Sequence, residues 1–313
     1  MGSMFDDLFA HYDWSRTKLL TLSQDLGDGD LDAEAPLGFG TLRATYSHLW
    51  AAERLWLDRW QGKPWQPLDE STRRISIPEF AAQFEALAAE RRAFLDSERS
   101  SGYVRIVEYQ NTRREAFRNR LADLMLHVTN HGIHHRAQAL QFLRRRNRTI
   151  PGGIDYLFYR LAYPVVPLDQ EAIGTMRGYG LEVDTAPGNA TPFDPDLLLS
   201  YCRYGDWATE RLLTAAANLD GRLWDQAFGM GMGTLRKTLL HCLDAERWWY
   251  RNWTEGPSSI DKLPEETPYD QIHGMWHECS ERRNAYLAQL TSSDWGRVVG
   301  ARPGDNVVHF RLG

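Results

Sequence analysis

Apolar side chains recur at helical spacing through most of the chain, and the exceptions are short. Leu8, Tyr12, Leu19 and Leu20 mark one face of a first helix. A polar loop bearing Gly and Pro follows, and a second helix is expected from Thr41, which can cap it, with Arg and Leu in its first turn. Phe80, Phe84, Leu87 and Phe94 predict a third helix over about 78–98, and Leu124, Val128, Leu140 and Phe142 a fourth over about 121–145. Between these two, residues 104–107 and 114–117 read as a pair of strands around Asn111 and Thr112. Long helices with one small hairpin predict an all-α helix bundle rather than an α/β fold. Trp50, Trp56 and Trp60 are expected as core and groove-lining residues of that bundle.

The pattern then repeats. Asp13-Trp14 returns as Asp206-Trp207, and the run Gly38 to Arg43 as Gly231 to Arg236, each displaced by 193 positions (206 − 13, 231 − 38). The same displacement carries His48 onto His241, Glu53 onto Glu246 and Trp60 onto Trp253 without a gap. A unit of this size is too long for a solenoid repeat, so two tandem copies of one domain are expected. In the second copy, Leu198, Tyr201, Leu212 and Leu213 mark the first helix, Thr234 starts the second, and the third spans about 268–290. Its strands are 297–299 and 307–310, around the turn 303–306. Residues 162–195 hold Pro164, Pro167, Gly174, Gly178, Pro187 and Pro192 and read as an irregular linker. The expected boundaries are therefore 4–161, 162–195 and 196–313.

Composition narrows the class of protein. Among 313 residues, 42% hydrophobic and 25% charged content is that of a globular chain, and no run is long enough for a membrane span. The N-terminal residues lack a basic stretch followed by an apolar one, so a cytoplasmic location is expected. A net charge of -6 gives no field for nucleic acid, and the basic run Arg144 to Arg148 suits a helix C-terminus. Cys202, Cys242 and Cys279 are too scattered for a disulfide framework or a thiolate metal site.

Candidate chemistry concentrates in four histidines within nine residues: His127, His131, His134 and His135. His131 and His135 are four apart, so a helix presents both imidazoles on one side. His48, on the second helix, can add a third nitrogen from a facing helix, leaving an open coordination position typical of a reactive metal. His273 and His277 share the four-residue spacing but lie on the third helix of the second copy, where they read as a coincidence of spacing, and His309 on the hairpin reads as solvent-facing. Glu53, Arg54 and Arg136 flank the candidate ligands and are expected as exposed salt-bridging residues.

The sequence resembles the DinB-like metalloproteins, a superfamily that also takes in bacillithiol- and mycothiol-dependent S-transferases and a maleylpyruvate isomerase. Tyr12-Asp13-Trp14, Ser47-His48-Leu49, the run His127 to Gln138 and the closing Pro151 to Tyr156 carry the resemblance. It implies four-helix bundles, each with a small hairpin before the last helix, and a divalent metal, zinc or nickel, held by His48, His131 and His135. His127 and His134 fall outside the implied ligands, with hydrogen bonding behind them open to either. Related sulfoxide synthases have an acidic residue where this chain has Ala137, and a catalytic domain of another fold; they fit less well.

In the second copy, the equivalents of His131 and His135 would fall near 324 and 328, beyond Gly313, so that bundle is expected to lack its fourth helix, through truncation or with its groove filled by another surface. The resemblance implies a metal-dependent transferase that activates a low-molecular-weight thiol, or water, for attack on an electrophilic small molecule. The alternatives are a non-catalytic metal-binding or assembly module and a metal-dependent hydrolase. No catalytic acid or base is assigned. A homo-oligomer or an intramolecular pseudo-dimer is the expected assembly.

Overall fold

Thr41 and Thr234 cap helices in the same way, their hydroxyls accepting from the amides of Ala44 at 3.1 Å and Lys237 at 3.2 Å. The computed structural model describes residues 3–64, 74–111, 113–164, 167–178, 180–184, 195–228, 231–302 and 307–311. The chain divides into two units, Met1–Arg160 and Leu161–Gly313. The expected turn at 303–306, with Thr112, Pro187 and Pro192, lies outside the described residues.

The first unit contains α1 (Met4–Ser23), the short α2 (Asp28–Leu31), α3 (Leu42–Trp60), α4 (Ile77–Glu98), β1 (Ile106–Gln110), β2 (Ala116–Arg120) and α5 (Leu121–Arg144). α6 (Tyr156–Ala162) follows at its end. Ser76 and Glu79 form a reciprocal cap at the start of α4, with a proline in its first turn. Each of α1 and α3 packs against both α4 and α5, which closes a four-helix bundle. Its core holds Phe9, Tyr12 and Leu19 of α1, Leu42, Tyr46 and Leu49 of α3, Phe80 and Phe84 of α4, and Phe142 of α5. Each such side chain contributes about 1.5–3 kcal/mol when fully buried. Trp60 is a core residue, whereas Trp56 sits edge-on to His127 and Tyr109.

The hairpin pairs Ile106 with Arg120 and Gln110 with Ala116 in antiparallel register. It therefore begins two residues later on each strand than the apolar pattern predicts. The turn sets where β2 starts: the Asn111 side-chain oxygen accepts from the amides of Arg113 and Glu115 at 2.9 and 3.0 Å, and the Asn111 amide donates to the Glu115 carbonyl at 3.0 Å. Val104, which suggested an earlier strand, is 66% exposed. β2 runs directly into α5, so the hairpin fixes where the histidine-bearing helix starts.

The second unit contains α7 (Gln170–Gly178), α8 (Pro195–Ala217), α9 (Gly221–Trp224), α10 (Leu235–Thr254), α11 (Tyr269–Gln289), α12 (Ser292–Trp295), β3 (Val298–Ala301) and β4 (Val308–Arg311). α7 corrects the expectation of an irregular segment over 162–195. Asp169 accepts from the Ala172 amide at 2.7 Å, Ala172, Ile173 and Met176 are buried, and Gly178 closes the helix. The prolines and glycines thus bracket a helix as well as loops. α11 packs on both α8 and α10, around Leu213, Leu240, Leu243, Ile272 and Trp276. Along α8, Tyr201, Tyr204, Trp207 and Leu212 are exposed. In the repeat, Tyr204 and Leu212 correspond to His11 and Leu19, which are buried in the first unit. Among the described residues no helix is long and apolar enough to cross a membrane.

A buried ion network ties the first bundle together and overturns the expectation that Glu53 is exposed. Glu53 of α3 is 1% exposed; it accepts from Arg16 of α1 at 3.2 Å and from Arg91 of α4. Arg91 also reaches Asp13 at 2.5 Å, and Arg16 pairs with Asp13 at 2.7 Å. In the second unit Arg283 joins Glu246 at 2.8 Å and Asp206. Arg283 thus plays in the second unit the part that Arg91 plays in the first. Arg54 is a partly exposed salt-bridging residue, paired with Asp58 and Glu90.

Candidate metal centre

His48 lies on α3 and His131 and His135 one turn apart on α5, and the packing of α3 on α5 brings all three together. His131 Nε2 lies 3.2 Å from His48 Nε2 and 3.1 Å from His135 Nε2. Their nitrogens form a group that can hold a metal ion. Tetrahedral coordination at about 2.0–2.1 Å would set neighbouring ligand atoms about 3.3 Å apart, so the donors are close to ligating distance.

Three features suit these imidazoles to hold a metal ion. First, burial lowers the pKa of His131 to about 3, helped by repulsion from the neighbouring imidazoles, and that of His48 to about 4; burial also lowers His135. Neutral imidazole is the ligand form. Second, Gln138 fixes a tautomer. Its Oε1 lies 2.8 Å from His135 Nδ1 and its amide nitrogen 3.0 Å from His134 Nε2. Nδ1–H of His135 therefore donates to Gln138, which leaves the Nε2 lone pair facing the other two histidines. Third, Phe39 stacks on His48 at 4.0 Å between ring centroids and leans on His135 at 5.3 Å. Gly38, at φ 47°, lets that loop approach: a Cβ there would lie 2.3 Å from Gln138 Oε1.

Between His131 and His135, Gly132 allows Tyr12 of α1 to come close to α5, since a Cβ would lie 2.0 Å from the Tyr12 ring and 2.6 Å from Arg136 Nη1. Arg136 is 2% exposed, not the surface residue its position suggested. Its guanidinium sits 4.2 Å over the Tyr12 ring, with Nε and Nη1 buried and unpaired, and burial depresses its pKa to about 10. A cation over an aromatic face replaces the expected carboxylate partner.

The structure thus brings together all three residues singled out in the sequence. His134 reaches them through Gln138, and His127 lies beside His131 at 5.8 Å between centroids. Phe39 and Gln138 were missed as contributors; the offset of three from His135 to Gln138 is the one sequence signal for the latter. His241 is exposed on α10 and, among the described residues, belongs to no such three-donor group. His309 is exposed on β4.

A four-helix bundle with three imidazoles converging from its second and last long helices defines the class: a helix-bundle protein with a candidate metal centre. A family model described as the DinB family matches residues 1–164 and 193–297, and the chain belongs to that family. No curated protein and no solved structure matches the chain.

Proposed function

We propose that His48, His131 and His135 hold one divalent ion, zinc or nickel, and that the site is a metal-dependent transferase acting on a low-molecular-weight thiol. The observation that carries this reading is the convergence of three Nε2 atoms from two helices, His135 buried and His48 and His131 half-buried, one of them with its tautomer set by Gln138. Three imidazoles leave coordination positions open, and a divalent ion there lowers the pKa of a thiol or water bound to it. The protein's own part is orientation. Gln138 holds the His135 ring, Phe39 walls the site against His48, and burial keeps protons off the ligands. Phe39 is 43% exposed, so an apolar electrophile can rest against it at the mouth of the site.

Metal content of the wild type and of His131→Ala, with helicity as a control, is the first test. The wild type should carry one equivalent more than the variant; equal metal content in the two overturns the ligand assignment. Turnover is then measured with a panel of thiols and electrophiles on zinc, nickel and manganese forms. Metal-dependent consumption of a thiol supports the transferase, and turnover of esters or amides by water alone supports the hydrolase. Bound metal without turnover makes the site a binding module.

A further inference from the structure

A second group of metal-ligating side chains lies on the second unit, away from the family's three histidines. His273 and His277 are one turn apart on α11, and Glu210 faces them from α8. His277 Nε2 lies 3.0 Å from Glu210 Oε2 and His273 Nε2 3.5 Å from Oε1. The two imidazoles meet edge to face at 4.7 Å and 75°, nearly the arrangement of His131 and His135 at 4.4 Å and 70°. In both places a pair four residues apart aims its nitrogens at one donor on a facing helix. Tyr269, one turn before His273, stacks on that ring at 5.8 Å and anchors its own hydroxyl on the Leu213 carbonyl at 2.8 Å. The His273 ring is thereby supported from the side away from His277.

We infer that Glu210, His273 and His277 form a second divalent-metal site, a two-histidine, one-carboxylate set that takes zinc, nickel or copper and clamps α8 to α11. Imidazole and carboxylate together suit these borderline ions, and one carboxylate charge offsets half the charge of the ion. The Glu210, His273 and His277 side chains are 46%, 34% and 53% exposed, so the remaining positions take water and the ion exchanges readily. The alternative is two hydrogen bonds from imidazoles to one surface carboxylate, a contact worth under about 1 kcal/mol.

Zinc titration of the chelator-stripped full chain separates the two and is independent of the first site. The wild type should bind two equivalents and the double variant His131→Ala, His135→Ala one. That remaining equivalent should disappear on adding either His277→Ala or Glu210→Gln. The glutamine keeps the shape and one carbonyl acceptor, but its other terminal atom is a donating NH2 and the charge is gone, so zinc binding that needs the carboxylate is lost while the packing of α8 on α11 is kept. Zinc should also raise the melting temperature of the His131→Ala, His135→Ala variant and leave that of its Glu210→Gln derivative unmoved. The proposal fails if the double variant binds no zinc, or if its equivalent persists after Glu210→Gln and His277→Ala. Because Glu210 and His277 are partly exposed, substituting either in the His131→Ala, His135→Ala variant should leave its helicity unchanged.

Discussion

At position 132 the bundle has room for a hydrogen atom and little else. A methyl group there would stand 2.0 Å from the Tyr12 ring and 2.6 Å from Arg136. Gly132→Ala should therefore cost about 1–3 kcal/mol through overpacking. It should also lower metal content, because relief of the clash shifts α5 and with it the spacing of His131 and His135 from His48. At Gly205 of α8, the repeat's equivalent of Tyr12, an added Cβ meets nothing within 4 Å. Gly205→Ala should gain about 0.5–1 kcal/mol from helix propensity. Denaturant unfolding and metal analysis of the pair check both; equal effects would mean that Gly132 is not a close-packing residue. The histidines were legible because imidazoles four apart announce themselves in sequence. Gly132 and Gln138 were not, since a glycine inside a helical pattern and a glutamine on its polar side acquire roles only from what the neighbouring helix and loop bring to them.

Between helices, the conserved-looking features of the two copies prove to be a single device with different surroundings. One arginine of the third long helix reaches a carboxylate on the second and another on the first, Arg91 to Glu53 and Asp13, and Arg283 to Glu246 and Asp206. The Glu53 side chain is 1% exposed and the Glu246 side chain 39%. Removing Glu53 leaves two buried guanidiniums, Arg16 and Arg91, to share the single carboxylate of Asp13, so Glu53→Ala should destabilise by about 3–5 kcal/mol. Glu246→Ala, in contact with solvent, should cost under about 1 kcal/mol. Equilibrium unfolding of the two variants decides; comparable losses would show that burial does not set the strength of the network. Periodicity predicted all the long helices and the hairpins, because each buries one apolar stripe. It could not report that Glu53 and Arg136 turn inward, since a charged residue reads as surface until its partners, Arg16, Arg91 and Tyr12, are placed beside it. α7 escaped for the opposite reason: Pro167 and Gly178 read as breakers, although they delimit a helix started by Asp169.

Over the whole chain, the repeat provides two copies of one helix pattern with unequal cover. In the first unit α1 is flanked by α4 and by α5, and the segment after α5 returns to it, with His11 Nε2 2.8 Å from the Ile154 carbonyl oxygen and Arg160 3.3 Å from Asp7. In the second unit α8 packs on α11, and its opposite face carries Tyr201, Tyr204, Trp207 and Leu212 in contact with solvent. Leu19 is 0% exposed and Leu212, its equivalent, 49%. A leucine without neighbours on one side loses both the transfer and the cavity contributions that make core truncations expensive. Leu19→Ala should therefore cost about 2–5 kcal/mol, and Leu212→Ala less than about 0.5 kcal/mol. Denaturant unfolding of the full chain, with each variant compared to the wild type at several protein concentrations, measures both. A loss at Leu212 as large as that at Leu19 at every concentration would mean that the α8 face is covered within the monomer. A loss that appears only as the concentration rises would instead mean that a second chain covers it. A small loss at all concentrations is the expected result, and it would make the exposed face a property of the folded second unit.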